Sequence, residues 1–463
     1  MVSYYIPHRI QEGYSLHPGH VQHGAVAPDT ALIVTVDCGV SSRRAVSAAA
    51  DAGIDVIVTD HHAVTKPLPN AVAVINPNRP DCPSGLGSLS GVGVVFYLVI
   101  ALRKELRERQ YFTSHPEPNL KKHCDLVALG TVADMVPLVG ENRVLTSVGL
   151  QVINSSNRPG LNRLIEASRI QGDRIDSEDI AYRLAPRLNA AGRLNHASDA
   201  VELLRARDNV AAAHLAQTLD RLNTRRREIE QDTCRSIEDT LTRSPELADR
   251  PAIVLADEAW HPGITGIAAA RLARQYHRPV FLISLSGETG KGSGRSIPGV
   301  DIISCLNACA PVLERYGGHP SAAGITVTKS NISEFRSLFE VEVEKQIERG
   351  IAPERIRVDC ELHLAQIQPV LMDLLARLAP FGQGNPEPFF LAREVTITRK
   401  KTVGRHHTRL TLTQKARNAQ KHLEAIYFNT TRVPDKARMA VFALRWNHWR
   451  GKKTIQAVIQ NLV

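Results

Sequence analysis

Short apolar, β-branched runs alternate with helix-like stretches over the first ~150 positions. Residues 31–36 (Ala-Leu-Ile-Val-Thr-Val) and 56–59 (Val-Ile-Val-Thr) read as buried strands, and the alanine-rich segment 41–52 between them as a helix. That strand–helix–strand grammar predicts an α/β fold with a doubly wound parallel sheet. Further helices are predicted at 91–109 and 124–130. The stretch 197–241 has few helix breakers, and its heavily charged part, with Arg225, Arg226 and Arg227, predicts a long solvated connecting helix. A second strand–helix–strand pattern starts at 252–256, includes 280–284 and closes with a helix over 331–350. The Gly- and Pro-rich stretch 380–388 is a loop, and the short strand-like runs beyond it predict a small OB-like β-barrel. The pattern divides the chain into 1–195, 196–248, 249–350 and 351–463.

Composition narrows the class. A chain of 463 residues is long enough for about three domains. Hydrophobic content of 43% with 22% charged residues excludes a disordered or collagen-like protein. No apolar run approaches the ~18 residues of a membrane span, so no membrane association is expected. The N-terminus shows no secretory signal, and seven scattered cysteines without a Cys-x-x-Cys pair support neither disulfides nor zinc knuckles. A reducing cytoplasm is the expected location.

Charge is uneven. Residues 381–463 carry 16 Lys+Arg against 4 Asp+Glu, and the other residues 41 against 43. The basic excess therefore belongs to the C-terminal module. Interleaved with the aromatics Tyr427, Phe428, Phe442, Trp446 and Trp449, it fits a polyanion-binding surface on which bases stack.

In doubly wound sheets ligands bind beyond the carboxyl ends of the strands. Asp37-Cys38-Gly39 and Asp60-His61-His62 fall at such ends, and Asp134 lies in a third polar position after an apolar helix. Carboxylates with imidazoles suit Mn²⁺ or Mg²⁺, and a pair of such ions clamps the attacking and leaving oxygens of a phosphoryl displacement. For any one residue alone, a helix cap or a satisfied core histidine is the commoner explanation. A second constellation, Gly292 to Ser296 (Gly-Ser-Gly-Arg-Ser), offers small residues, hydroxyls and the Arg295 guanidinium for a phosphate, with a flexible glycine loop as the plainer reading. Gly317-Gly318-His319 would let a substrate approach the backbone or would be a simple turn, and Arg187, Asn189 and Arg193 add donors. Leu285 stands where a nucleotide P-loop needs glycine, which excludes an ATPase of that kind.

These motifs together resemble a family. Val36 to Gly39, Thr59 to His62 and Gly130 to Met135 resemble, in order, motifs of the DHH phosphoesterase superfamily. Pro186 to Arg193, Trp260 to Ile267, Gly292 to Ser296, Gly317 to Gly324 and Pro380 to Pro388 resemble bacterial RecJ, and the likeness runs along essentially the whole chain. It implies a single-stranded-DNA-specific 5′–3′ exonuclease of repair and recombination, with a DHH domain, a connecting helix, a DHHA1 domain and an OB fold, using Mn²⁺ or Mg²⁺. Asp37 would bridge two ions, and His61 and Asp134 would hold one of them. Asp60 and His62 are the catalytic candidates, His62 facing the scissile phosphate or supporting the site and Asp60 orienting the histidines. Arg187, Asn189, Arg193, Ser293, Arg295, Ser296, Gly317, Gly318 and His319 would contact substrate. The implied partners are single-stranded DNA and, through the repair role, single-strand-binding protein and a helicase, with the chain itself a monomer.

The family's first motif, an Asp-x-Asp-x-Asp-Gly type preceding Tyr-Ile-Pro-x-Arg, has no counterpart before Tyr5, since the first aspartate is Asp29. The expectation is therefore a DHH domain incomplete at its start, with an incomplete two-metal site. The alternative reading is a catalytically impaired or inactive RecJ-like protein that binds single strands. A third, a DHH hydrolase of very short or cyclic nucleotides, has little use for the basic C-terminal module.

Overall fold

Two parallel strands, β1 (Leu32–Val36) and β2 (Asp55–Thr59), open the first sheet, joined by helix α1 (Arg43–Asp51). The computed structural model describes residues 2–463 other than 23–25, 28, 65–66, 156–157, 171, 173, 349, 351–354, 405, 417–418, 431, 435–436 and 450–451. The chain forms two compact units. One comprises Met1–Tyr14, Arg158–Ala167 and Pro186–Glu354, and the other Ser15–Asn157, Ser168–Ala185 and Arg355–Val463. Among the described residues, no helix is long and apolar enough to cross a membrane, and all seven cysteines are free thiols.

β2 lies between β1 and β3 (Ala73–Ile75), all parallel. Val46 and Ala49 of α1 pack on Val56 and Val58, which sets the helix against one sheet face. Val36 pairs with Thr59, so the next residues, Asp37 and Asp60, leave the sheet side by side. β1 is an edge strand, and its Leu32, Val34 and Val36 are exposed. Helices α2 (Gly91–Glu108), α3 (Cys124–Ala133) and α4 (Gly140–Ile153) come next. Ser90 caps α2 by accepting the Gly93 N–H, and its hydroxyl also meets that of Thr131 in α3 at 3.0 Å.

Helix α5 (Ala185–Leu194) carries the arginine-rich motif. The long helix predicted over 197–241 is in fact two, α6 (Ser198–Arg205) and α7 (Asn209–Arg243). Asp208 breaks the run by capping α7, accepting the N–H groups of Val210 and Ala211, which a scan for apolar period alone does not register.

The second sheet has the order β4-β5-β6-β8-β7, built from β4 (Ile253–Asp257), β5 (Val280–Ser286), β6 (Thr289–Arg295), β7 (Arg315–His319) and β8 (Ala322–Thr328). Helix α8 (Thr265–Tyr276) connects β4 to β5. Helix α9 (Ile332–Glu348) sets Phe335 and Phe339, stacked on each other, edge-on against Phe281. The Gly-Ser-Gly-Arg-Ser segment is thus mainly a strand, not a loop, and Gly317-Gly318-His319 belongs to a hairpin strand, not a turn. The cause is packing. Gly290, Gly292 and Gly294 face the core, and a Cβ on Gly294 would sit 2.6 Å from Phe281 Cε1. Glycine here makes room for the Phe281 ring and for aliphatic side chains such as Ile283 and Ile325, and the strand loses the apolar alternation by which strands are recognised.

The domain boundary expected at 350/351 falls beside 351–354, outside the described residues. Beyond it come β9 (Cys360–Glu361), α10 (Pro369–Ala376), β10 (Phe390–Arg393), β11 (Val395–Val403), β12 (His407–Ala416), β13 (Ala419–Tyr427), β14 (Met439–Trp449) and β15 (Lys452–Leu462). Their sheet has the order β11-β12-β13-β15-β14-β10-β9 and encloses Met372, Phe390, Leu412, Leu423, Phe442 and Ile459. Phe442 is therefore core, while Phe428 is exposed and Trp446 carries the Lys453 ammonium 4.3 Å over its ring. The side chain of Trp449 lies outside the described residues. Along β11, Arg399, Lys400 and Lys401 are exposed.

Candidate metal centre

Asp37 sits at the end of β1 with φ +63, an unusual conformation for a residue with a side chain. It turns the carboxylate over the N-terminus of α2. Gly91, the first residue of that helix, makes this possible, because a Cβ there would overlap Asp37 Oδ1 and lie 2.5 Å from Cγ. His61, two residues past the end of β2 and only 12% exposed, points Nε2 to within 3.1 Å of Asp37 Oδ1 and 3.4 Å of Asp134 Oδ2. Asp134 reaches the same place from the C-cap of α3. A cleft of about 210 Å³ opens here, lined by Asp37, Gly91 and Asp134 with Val36, Ser90 and Val92.

The second nitrogen of His61 fixes its chemistry. Nδ1 lies 3.0 Å from the Leu89 carbonyl, which can only accept, so the Nδ1 proton is held there and Nε2 faces the carboxylates. Nε2 is buried and has no aligned hydrogen-bond donor or acceptor. A neutral imidazole would aim its lone pair at two carboxylates, an unfavourable arrangement unless a proton or a cation stands between them. Burial pulls the His61 pKa down, and Asp37 and Asp134 more than offset it, so the ring titrates above its ordinary value. A buried nitrogen facing two carboxylates is a donor set that could hold a hard or borderline divalent ion.

Asp60 lies beneath this centre, 1% exposed. Its Oδ1 accepts the His61 and His62 N–H groups and sits 2.7 Å from His62 Nδ1, and its Oδ2 accepts the Val40 N–H. Burial raises its pKa, but these donors win and hold it below the ordinary carboxylate value. The His62 pKa is raised, chiefly by Asp60. Ring orientation is divided: Asp60 holds the His62 ring, and Leu89 holds that of His61. Candidate ligand atoms of Asp37, His61 and His62 all lie within 4.8 Å of one another, with Asp134 joined through His61. Burial is the main reason that the Asp134 carboxyl titrates above its ordinary value.

A protonated Nε2 cannot ligate. Mn²⁺ affinity is therefore expected to fall as pH drops through the raised His61 pKa, by up to about tenfold per pH unit. Titration of the chain with Mn²⁺ between about pH 5.5 and 8.5 checks this, and a flat profile would remove His61 from the ligand set.

The other predicted residues lie in the unit that contains Pro186–Glu354 and separate into two groups. Arg193 and Arg295 have no carboxylate at ion-pair distance among the described residues, and neither does Arg9, whose guanidinium lies 4.6 Å over the Tyr14 ring. Burial foremost, with Arg9, Arg226 and Arg295 nearby, brings the Arg193 pKa down to about 10. Arg295 is lowered too, by burial first, with Arg9 adding to the effect. Ser293 and the buried Thr265 lie beside Arg295, their hydroxyls 3.3 Å apart, and Gly266 leaves the space in front of it open. Partly buried arginines that repel one another and lack acids leave positive charge with no counter-charge from the described residues, a setting that suits an anion. Arg187 and Ser296 are committed elsewhere. Arg187 is buried in an ion pair with Asp220 of α7, and the Ser296 hydroxyl donates to the Val300 carbonyl. Asn189 is exposed on α5, as are Gly317, Gly318 and His319 on β7. Thr265 and Arg9 enter the sequence reading only as members of motifs, and Tyr14, Leu89 and Gly91 give no functional signal there. A carbonyl and a glycine Cα carry no chemistry that a scan of residue types detects, and Arg9 lies far from its neighbours in sequence.

Comparison with known proteins places these features in context. Residues 1–131 match the DHH family N-terminal domain, 249–345 the DHHA1 domain and 358–461 the RecJ OB domain. The single-stranded-DNA-specific exonuclease RecJ of Dickeya dadantii is 39% identical over 477 residues, covering 100% of this chain and 82% of that protein. RecJ of Thermus thermophilus, crystallised in complex with Mn²⁺, superposes with a TM-score of 0.80 at 31% identity, over 96% of this chain and 63% of that one. Its Mg²⁺ complex gives 0.72 at 30% identity, over 93% and 61%.

Proposed function

The chain belongs to the RecJ family, and from that premise we propose that it is a metal-dependent exonuclease that removes nucleotides from single-stranded DNA in the 5′ to 3′ direction. The observation that carries the reading is the buried Nε2 of His61, facing the carboxylates of Asp37 and Asp134 without an aligned hydrogen bond. These three residues would hold Mn²⁺ or Mg²⁺. An ion bound there supplies positive charge, which acidifies water and stabilises the phosphate oxygens during in-line displacement. The rest is the work of the chain's own groups. Leu89 keeps His61 in the tautomer that a ligand needs. Asp60 keeps the His62 ring oriented and favours its protonated form, which can donate a hydrogen bond to a phosphate oxygen. Arg193, Arg295 and Ser293, with Arg9 and Thr265, would hold a phosphate of the strand, and the basic C-terminal module would track the strand beyond. Asn189, Gly317, Gly318 and His319 are open to substrate on exposed surfaces. Arg187 and Ser296 would act by holding the segments that carry these donors. The same reading puts the protein in the cytoplasm as a monomer, with single-strand-binding protein and a helicase as partners in repair and recombination.

The test uses a 3′-labelled, 5′-phosphorylated oligonucleotide, single-stranded or annealed, with Mn²⁺. Progressive shortening of the single strand from its 5′ end, with the duplex spared, is expected. Endonucleolytic products, or equal attack on duplex, would overturn the reading.

A further inference from the structure

Asp134 reaches the centre from a helix end rather than from a strand end. It lies just beyond the last turn of α3, and Met135 after it has φ +60, so the chain reverses at once. Two groups from outside that loop grip its continuation, residues 137 and 138. From the C-terminal module, the Gln383 carbonyl accepts the Leu138 N–H at 2.6 Å. Gly382 lies against the same Leu138, where a Cβ would come 2.8 Å from Cδ1, and Gly384, at φ +72, lies against Pro137. The turn that presents these atoms is itself well fastened. Gly382 and Asn385 exchange backbone hydrogen bonds, the Asn385 amide donates to the Pro380 carbonyl at 2.8 Å, and the Ser177 hydroxyl donates to the Phe381 carbonyl at 2.6 Å.

The second grip is Asn142, 1% exposed in the first turn of α4. Its amide donates to the Pro137 carbonyl at 3.0 Å and to the Ser88 carbonyl at 2.6 Å. Ser88 adjoins Leu89, whose carbonyl fixes the His61 ring. One buried side chain thus ties the loop bearing Asp134 to the loop that orients His61.

We propose that Asn142 and the 380–385 turn of the C-terminal module are positioning elements of the metal centre, holding the Asp134 loop in register with His61. The C-terminal module then has a second task besides contact with the strand: it completes the geometry of the ion site. The inference rests on the metal-centre reading. It comes from how carboxylate ligands behave, since an ion's affinity depends on groups that never touch it, and loss of such a support typically costs about 10–100-fold.

The experiment measures Mn²⁺ affinity of the whole chain from the free-Mn²⁺ EPR signal, together with the thermal unfolding midpoint, for the wild type, Asn142→Leu, Gly384→Ala and the double variant. Gly384→Ala deletes no hydrogen bond. It sets a methyl 3.0 Å from Pro137 Cβ at a backbone angle that suits glycine. Each single variant is expected to weaken Mn²⁺ binding about 10–100-fold, and the double variant less than the product of the two, because both act through one loop. Variants that unfold at lower temperature yet bind Mn²⁺ like the wild type would overturn the proposal, leaving a purely structural clamp. Equal binding with an unchanged midpoint would overturn it as well. A wild-type chain that binds no Mn²⁺ would instead sink the metal-centre reading beneath it. If Asn142→Leu fails to fold, Gly384→Ala alone decides.

Discussion

Replacing Asp37 with alanine is expected to abolish Mn²⁺-dependent shortening of single-stranded DNA, lowering the rate by at least about 100-fold. The floor comes from the outer contacts: if a residue that merely supports a ligand costs about 10–100-fold, a ligand itself costs no less. Stability should hardly change. The Asp37 side chain is 53% exposed and buries little apolar surface, so its loss removes few contacts from the fold. Activity and folding are thereby separated, as they would not be for a core residue. His61→Ala should match the loss, and the double variant should be no slower than the worse single one, since the two act as one unit. Asp37→Asn keeps the shape and removes the charge, and should fall with Asp37→Ala. Full activity in either Asp37 variant would remove this centre from the chemistry.

How far the sequence reveals this centre depends on what kind of atom does the work. Asp37, Asp60 and His61 announce themselves, because a strand-like run ends immediately before each cluster and the pairing of β1 with β2 is what strand–helix–strand grammar predicts. Asp134 is visible only as part of a motif, since it caps a helix rather than ending a strand. The glycine-rich β6 reads as a loop because its alternation is of glycine with polar residues. The apolar partner of each glycine is a side chain contributed by β5 or β8, as with Phe281 and Ile325. Arg187 looks like an available donor, and only tertiary structure shows Asp220, 33 residues later, occupying it. The supports Leu89, Asn142 and Gln383 act through carbonyls or amides, which every residue or many residues possess. Their importance lies wholly in position.

Gly91 gives the sharpest test of that last point, because function should respond to it far more than stability does. Gly91→Ala places a methyl at the first position of α2, where alanine is the better helix former by up to about 1 kcal/mol. On helix propensity alone the variant should be as stable as the wild type or slightly more so. The methyl, however, would occupy the space of the Asp37 carboxylate, 2.5 Å from Cγ and 2.7 Å from Cβ. Real atoms do not approach so closely, and α2 is pinned by the Ser90 cap and by the Ser90–Thr131 contact. Asp37 is the freer partner, and because its Cβ is fixed by its own backbone, the turn after β1 must shift together with the carboxylate. That shift carries a cost in the fold and withdraws the carboxylate from His61 Nε2. The expected result is Mn²⁺ affinity and hydrolysis reduced nearly as far as in Asp37→Ala, with an unfolding midpoint only modestly lowered because the gain in helix propensity offsets part of the backbone shift. Combining the two substitutions should add little, since the carboxylate has already left the centre. If Gly91→Ala kept both Mn²⁺ binding and activity, the carboxylate would not be needed where the structure holds it, and the ligand assignment of Asp37 would fall.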